Sequence, residues 1–310
     1  YCTITSMDES PLKPGLIWVG TDDGKVHVTK NHGADWEELT ANVEKSGVPH
    51  ERWVARIIAS KHNESIAYLV HNGFRNDDFK PYVLKTNDYG KTWESISSNL
   101  PDYPVNVIVE DAKNPNLLFI GNDHGVYYSL DKGMNWEPMK ANIPPVVVRD
   151  LLVHSRENDL VVGTYGRAAW VSDISPLQQM TAEVSDSEFH LFDIEPKPQL
   201  NYSQQASWGN YHMTGSNHIR TPNESNGLEI WFYFKEDGRK NAKLEITDKN
   251  DEQVYSTEIT VHAGIKKIFW NTKSAVPGSY KIAFTYKDKT IIKNGVVEER
   301  LIWPVPNYRK

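Results

Sequence analysis

Cysteine is nearly absent: the 310-residue sequence contains one, Cys2. An internal disulfide and a cysteine-rich metal centre are therefore excluded. No apolar run approaches the roughly 20 residues that cross a bilayer as a helix, so no membrane insertion is expected. Basic charge is also scarce. Lys and Arg total 34 against 41 Asp and Glu, a formal net charge of −7. There is no long basic run, which argues against nucleic acid and anionic membrane surfaces as partners. The histidines form no HExxH or HxH pattern, so zinc is not expected. No GxSxG elbow, GxGxxG loop or P-loop occurs; GTDDGK at 20–25 lacks the P-loop spacing. No signal peptide is visible and the sequence starts at Tyr1 rather than Met. It reads as a processed or truncated piece of a longer protein.

Aromatics, in contrast, are plentiful, with 10 Trp and 15 Tyr. That suits all-β architecture and also sugar-binding surfaces. The length suggests two domains of about 150 residues each.

The first half repeats itself. TKNHGADW (29–36), TNDYGKTW (86–93) and SLDKGMNW (129–136) align without gaps. Each is Ser/Thr, any, Asp/Asn, any, Gly, any, any, Trp. Around them lie β-branched and aromatic runs joined by short turns, such as LIWVGT–KVHVTK and LLFIGN–GVYYSL. A further strand precedes each pair. A fourth copy at 159–173 keeps the strand–Gly–strand pattern but lacks the turn. A unit recurring roughly every 50 residues, with several short strands each, suggests propeller blades. Residues 1–175 are thus expected to form four four-stranded blades, the last incomplete, with no helix-period segment competing.

Residues 176–206 are Pro-, Gln- and Ser-rich toward their end and read as a linker, with one short helical turn at SPLQQM. From 207 to 310 six or seven strands follow at regular spacing, the prior for an immunoglobulin-like sandwich. EIWFYF alternates, so Trp231 and Tyr233 share one face and Ile230, Phe232 and Phe234 the other. Trp208, Tyr211 and His212 are further aromatic candidates for sugar stacking, with core packing as the default.

The three turns resemble the Asp-box (BNR) repeat of sialidases, xyloglucanase-type glycosidases and sortilin/Vps10 propellers. More closely, HNGFRNDDFKPYVLKTNDYGKTW, NPNLLFIGNDHGVYYSLDKG and NDLVVGTYGRAAWVSDISPLQQ resemble large secreted bacterial proteins with a sortilin-like propeller, often labelled glycosyl hydrolases. The resemblance implies a secreted, periplasmic or cell-surface location. It implies upstream blades absent from this sequence, so the partners expected are a missing N-terminal propeller segment and a protein, peptide or glycan ligand. Two departures stand out. Asn31 replaces the box Asp, which predicts a weaker first turn. Tyr165 and Ala168 stand where His and Gly are common.

The boxes read as folding devices: Asn31, Gly33, Trp36; Asp88, Gly90, Trp93; Asp131, Gly133, Trp136. Asp accepts backbone N–H bonds, Gly supplies a positive φ, and Trp covers the hairpin. They also orient each blade. If the box joins the third and fourth strands, the hairpins between the second and third strands emerge on the opposite face. Asp22-Asp23, the 71–82 loop, Asp123-His124 and Tyr165-Gly166-Arg167 should gather there with the inter-blade connections. The ligand candidates are Arg75, Asp77, Asp78, His124, Tyr165 and Arg167. Asp77 and Asp78 are candidate calcium ligands, the sole cofactor expectation. They are also candidate acid and base groups with Asp23 or Asp123. Arg52, Arg56, Arg149 and Arg167 read as structural ion-pairing residues, because the Tyr–Glu pair of sialidases is not found. The function this supports is a secreted or envelope binding scaffold that holds its ligand on the loop face. The alternative is a glycoside hydrolase with part of its active site on upstream blades.

Overall fold

The computed structural model describes residues 2–140, 142–199 and 226–300. It divides into two compact units, Tyr1–Met180 and Thr181–Lys310.

The first unit is built from antiparallel sheets in chain order. The first is β1 (Ile4–Glu9), β2 (Ile17–Thr21), β3 (Val26–Thr29) and β4 (Glu37–Glu38). The second is β5 (Trp53–Ala59), β6 (Ala67–Asn72), β7 (Tyr82–Thr86) and β8 (Glu94–Ser95). The third is β9 (Val105–Glu110), β10 (Leu118–Asn122), β11 (Gly125–Ser129) and β12 (Glu137–Pro138). The fourth has three strands, β13 (Val148–His154), β14 (Asp159–Thr164) and β15 (Ala169–Asp173). First strands pack in series, β1 on β5, β5 on β9 and β9 on β13, while β13 and β1 share no comparable packing. A five-residue helix α1 (Thr40–Glu44) follows β4, where the sequence shows no helical period.

The boxes join the third and fourth strands, as the repeat requires. In each, the Ser/Thr hydroxyl accepts from the Gly N–H: Thr29 from Gly33 (3.0 Å), Thr86 from Gly90 (2.9 Å), Ser129 from Gly133 (2.8 Å). The Asp or Asn oxygen accepts an amide four residues on. Asn31 accepts from Asp35 (3.0 Å), Asp88 from Thr92 (2.9 Å) and Asp131 from Asn135 (2.8 Å). Asn31 thus keeps the hydrogen bonds of the box, because the carbonyl oxygen of its amide accepts as a carboxylate does. The first turn loses charge but not geometry. The glycines lie at φ 84°, 86° and 91°, where a side chain is disfavoured.

The tryptophans do more than cover their own hairpins. Trp93 of the second sheet is buried in the cluster of the first, with Trp18, Val28 and Leu39. Trp136 of the third is buried with Ile96 and Tyr68 of the second, and its indole N–H donates to the Ile96 carbonyl (2.7 Å). Trp36 of the first sheet meets no other sheet among the described residues and is 46% exposed. In the second and third sheets the box therefore acts between sheets, Trp93 and Trp136 each packing on the sheet before it.

Of the expected linker, 176–206, the described part, 176–199, is not simply a linker. Helix α2 (Ser175–Gln178) is buried on the first unit. There Gln178 donates to Asp111 (2.7 Å), and Asn114 donates to the Leu177 and Met180 carbonyls (3.5 and 3.4 Å). Helix α3 (Ala182–Asp186) opens the second unit under a Thr181 cap. Then β16 (Phe189–Leu191) and β17 (Lys197–Pro198) join its sheets. The remaining strands are β18 (Gly227–Phe234), β19 (Ala242–Thr247), β20 (Gln253–Ile259), β21 (Gly264–Asn271), β22 (Gly278–Tyr286) and β23 (Lys289–Glu298). They form two sheets, β16-β18-β21 and β17-β23-β22-β19-β20. One core joins them. Phe232 and Phe234 on the first sheet meet Phe284 on the second with centroids 5.1 and 5.7 Å apart. Ile230, Phe232 and Phe234 are the buried face of β18. On the other face Tyr233 donates to the Ser185 carbonyl (3.2 Å) and Lys267 lies over Trp231. Trp208, Tyr211 and His212 lie outside the described residues.

Candidate functional site

Each first strand of the first unit carries one β-bulge near its start. The pairing skips Thr5 in β1, Ala55 in β5, Asn106 in β9 and Arg149 in β13. A bulge leaves one residue unpaired and re-aims its side chain. The carbonyl before the bulge takes a side-chain donor from the preceding sheet. Thr5 donates to Val54 (2.7 Å), Asn72 to Val105 (3.5 Å) and Asn106 to Val148 (3.0 Å).

Three of the four bulged residues line one cleft. Ala55, Asn106 and Arg149, with Trp53, Asn72, Phe74 and Arg75, enclose about 390 Å³. Its polar groups form a chain. Asn72 donates to Asn106 (2.8 Å), Arg149 donates to the same amide oxygen (2.9 Å), and Asn106 donates to Asp123 (2.8 Å). Arg75 lies over Trp53, its guanidinium carbon 3.7 Å from the ring centroid. Among the described residues neither Arg75 nor Arg149 has a carboxylate partner, whereas Arg52 pairs with Asp78 and Arg56 with Asp150. The expectation of structural ion pairs thus holds for Arg52 and Arg56 and, among the described residues, fails for Arg149 and Arg167.

Each hairpin named from the sequence lies at the end of its own sheet where the first strand starts. The Asp22 carboxylate accepts from the Thr3 N–H (2.9 Å), and the Asp123 N–H donates to Pro104 (3.2 Å). The Tyr165 N–H donates to Val147 (2.8 Å), and His124 stacks on Tyr103 with centroids 4.6 Å apart. Of the ligand candidates, only Arg75 lines the cleft. Tyr165 is 74% exposed. Arg167 is exposed, with its carbonyl accepting from the Trp170 indole (3.0 Å).

The 71–82 loop is shaped by a 3₁₀ turn, Phe74–Asn76, with Asp77 at φ 57°. This conformation points the two acids in different directions. Asp77 is exposed. Asp78 is turned inward, accepting from Tyr82 (2.8 Å), Arg52 (3.3 Å) and the Lys80 N–H (3.3 Å). Burial raises its carboxyl, but those hydrogen bonds and the Arg52 charge outweigh it and hold the group below the usual carboxylate range. The pair does not fit a calcium site, because one carboxylate is already committed to a guanidinium. No group of three His, Cys, Asp or Glu suited to a metal occurs among the described residues. Asp23 accepts from Thr21 (2.5 Å) and Asp123 from Asn106. Asp23 and Asp78 are thus engaged in holding their own loops, and Asp123 is bound to Asn106 at the end of the cleft's polar chain.

Beneath the loop, His71 is fully buried. Its Nδ1 bonds the Arg52 carbonyl (2.8 Å) while Nε2 has no partner. Burial pulls the imidazole down to about 4 against the favourable carbonyl bond.

No helix among the described residues is long and apolar enough to cross a membrane. Among solved structures the chain is similar to the GH74 xyloglucanase from Xanthomonas campestris, at 11% identity and TM-score 0.44, over 96% of this chain and 47% of that one. It is similar to the GH74 enzyme of Niastella koreensis, at 10% identity and TM-score 0.44, over 95% and 47%. It is also similar to YCF48 from Cyanidioschyzon merolae, at 14% identity and TM-score 0.38, over 91% and 79%. The chain spans about half the length of the two GH74 structures. No curated protein matches its sequence. The family model described as "Sortilin, neurotensin receptor 3" matches residues 81–287, more than half of the sequence. The chain therefore belongs to the Sortilin-Vps10 family.

Proposed function

We propose that this chain is part of a binding scaffold that holds a protein, peptide or glycan ligand at the loop face, in the cleft at the mouth of the propeller. The observation that carries the reading is the convergence of Ala55, Asn106 and Arg149, bulged at equivalent positions of successive sheets, on one cleft. Sites form where a rigid scaffold presents loops and re-aimed side chains together. The glycoside-hydrolase alternative has less support, since Asp23 and Asp78 serve their own loops and none of the four candidate carboxylates lines the cleft. A panel of immobilised glycans and proteins, probed with the chain and with Asn106→Ala, tests the reading. Binding that the substitution weakens supports it; binding indifferent to the cleft contradicts it.

The partner expected for the sheets themselves is a further propeller segment. Two internal devices support this. A Cβ on Gly90 would fall 2.3 Å from Leu39 and one on Gly133 2.7 Å from Ile96, each residue belonging to the preceding sheet, while Gly33 meets only its own Trp36. A Cβ on Gly20 would fall 2.2 Å from Val54 and one on Gly121 2.4 Å from Val148, each in the following sheet, while Gly163 meets only Asp150 of its own sheet. The row Leu152, Val161, Val171 lies on one face of the fourth sheet, with Leu152 59% and Val171 64% exposed. Further sheets packed in the same manner cover Trp36 at one end and this row at the other. Acrylamide quenching of Trp36 tests it: shielding in a longer protein bearing additional Asp-box sheets is the expected result, and equal quenching in both contradicts it.

For the second unit, the orders β16-β18-β21 and β20-β19-β22-β23 follow the A-B-E and C′-C-F-G arrangement of immunoglobulin-like sandwiches. That supports the immunoglobulin-like reading. A secreted or envelope location accords with the family and with ligand capture; fractionation of the host's cells tests it.

A further inference from the structure

We propose that the mouth cleft takes an acidic oligosaccharide, holding a uronic-acid carboxylate between Arg75 and Arg149. This rests on the loop-face reading above and names the ligand's chemistry. In a protein of net charge −7, two guanidinium groups share one cleft and neither has a carboxylate partner among the described residues. Their supports are neutral. Arg149 is held by the Asn106 amide oxygen at 2.9 Å and Arg75 by the face of Trp53. Neither charge is offset by a carboxylate partner among the described residues, and both side chains leave N–H groups for a ligand. The fork of a guanidinium matches a carboxylate in a bidentate way.

The rest of the lining favours a sugar acid over an acidic peptide. A peptide added as a strand needs free backbone edge groups. At this mouth the Val54, Val105 and Val148 carbonyls already accept from Thr5, Asn72 and Asn106. A peptide anchored by apolar side chains needs an apolar pocket, yet Arg75 covers Trp53, leaving Phe74 and Ala55. Two guanidinium groups with unengaged N–H donors and one exposed aromatic ring, Phe74, suit a ligand dense in hydroxyls that carries a carboxylate. The volume, about 390 Å³, lies at the small end for ligand sites and fits a short stretch of glycan.

Isothermal titration calorimetry of the 310-residue chain tests this with trigalacturonate, galactotriose and hexaglutamate. Trigalacturonate is expected to bind, with an affinity that falls as salt rises, and galactotriose is not. Arg75→Ala and Arg149→Ala are each expected to weaken binding about tenfold or more, the loss of a hydrogen bond to a charged group. Arg149→Lys should fall between, since it keeps the charge but not the fork. Arg167→Ala, an exposed arginine outside the cleft, should change nothing. Melting curves establish that each variant is folded, and Arg149→Gln replaces any that is not. If trigalacturonate fails to bind, or binds without regard to Arg75 and Arg149, while another ligand still depends on the cleft, the inference falls and the loop-face reading stands. Preferential binding of hexaglutamate also overturns it, in favour of an acidic peptide. If no ligand depends on the cleft, both readings fall.

Discussion

Trp93 of the second sheet meets Trp18 of the first edge-on, with ring centroids 6.1 Å apart and planes 81° apart. Edge-to-face geometry suits the quadrupoles of two aromatic rings, and both are buried. The pair shows what the repeated box accomplishes: its closing Trp fastens one sheet to the one before. Trp93→Ala should therefore cost about 3–5 kcal/mol, the range for a buried aromatic. Trp36→Ala, at the same place in the repeat but half exposed, should cost less than about 1 kcal/mol. Urea denaturation of the two variants checks this, and equal losses would refute an inter-sheet role.

The box glycines separate in the same way. Gly90→Ala adds a methyl group that overlaps Leu39, on a backbone at φ 86°. About 2–4 kcal/mol of destabilisation is expected from overpacking plus backbone strain. Gly33→Ala carries the backbone cost alone, about 1 kcal/mol, because only its own Trp36 is near. Thermal melts of both proteins decide between this and a purely local role for the glycine.

Much of this architecture is legible in sequence. Ser/Thr-x-Asp-x-Gly-x-x-Trp specifies a turn chemically, and alternating β-branched runs supply its strands. The bulges are not legible, because an unpaired residue is defined by register and not by its side chain. For that reason Asn106 goes unremarked and Arg149 reads as an ion-pairing residue, though together they build the cleft. Asp77 and Asp78 mislead for the opposite reason. Adjacent acids stand out in a sequence, but only the left-handed turn at Asp77 shows that Asp78 faces Arg52. The segment before residue 200 misleads through composition: Phe189–Leu191 is too short to signal a strand, yet it pairs with Phe232–Phe234.

A buried carboxylate latches the second sheet to the third. Glu110 accepts from the Ser60 hydroxyl (2.9 Å), the Lys61 N–H (2.5 Å) and the Tyr68 hydroxyl (3.0 Å). Burial, and then the Glu110 charge, push the Tyr68 phenol upward, so it remains a donor. Glu110→Ala leaves three donors without their acceptor. It should cost about 3 kcal/mol or more, since each orphaned buried group costs about 1–3 kcal/mol. Chemical denaturation measures it, and a near-neutral result would mean that water replaces the carboxylate.

Acid should weaken the first unit in two stages. His71 is neutral in the fold down to about pH 4, whereas an unfolded imidazole takes a proton near pH 6.5. Between these values the unfolded chain binds more protons, so stability falls as pH drops, by up to about 1.4 kcal/mol per pH unit. His71→Gln, which cannot titrate, should flatten that slope. At Asp88 and Asp131 burial raises the carboxyl, but hydrogen bonds within the box outweigh it and lower the group below its usual 3.8. Their stabilisation is present above that value and is lost as pH falls below it. Melting temperatures from pH 7 to 3 test both stages; an unchanged slope in His71→Gln would contradict the first.

Hydrogen–deuterium exchange with a bound ligand tests the loop-face reading most directly. With trigalacturonate, or any ligand the binding panel returns, protection is expected over Trp53–Ala55, Asn72–Arg75, Val105–Asn106 and Val148–Arg149, the segments that line the cleft. Protection confined to the Asp-box turns at the opposite end, or to the second unit, would contradict it.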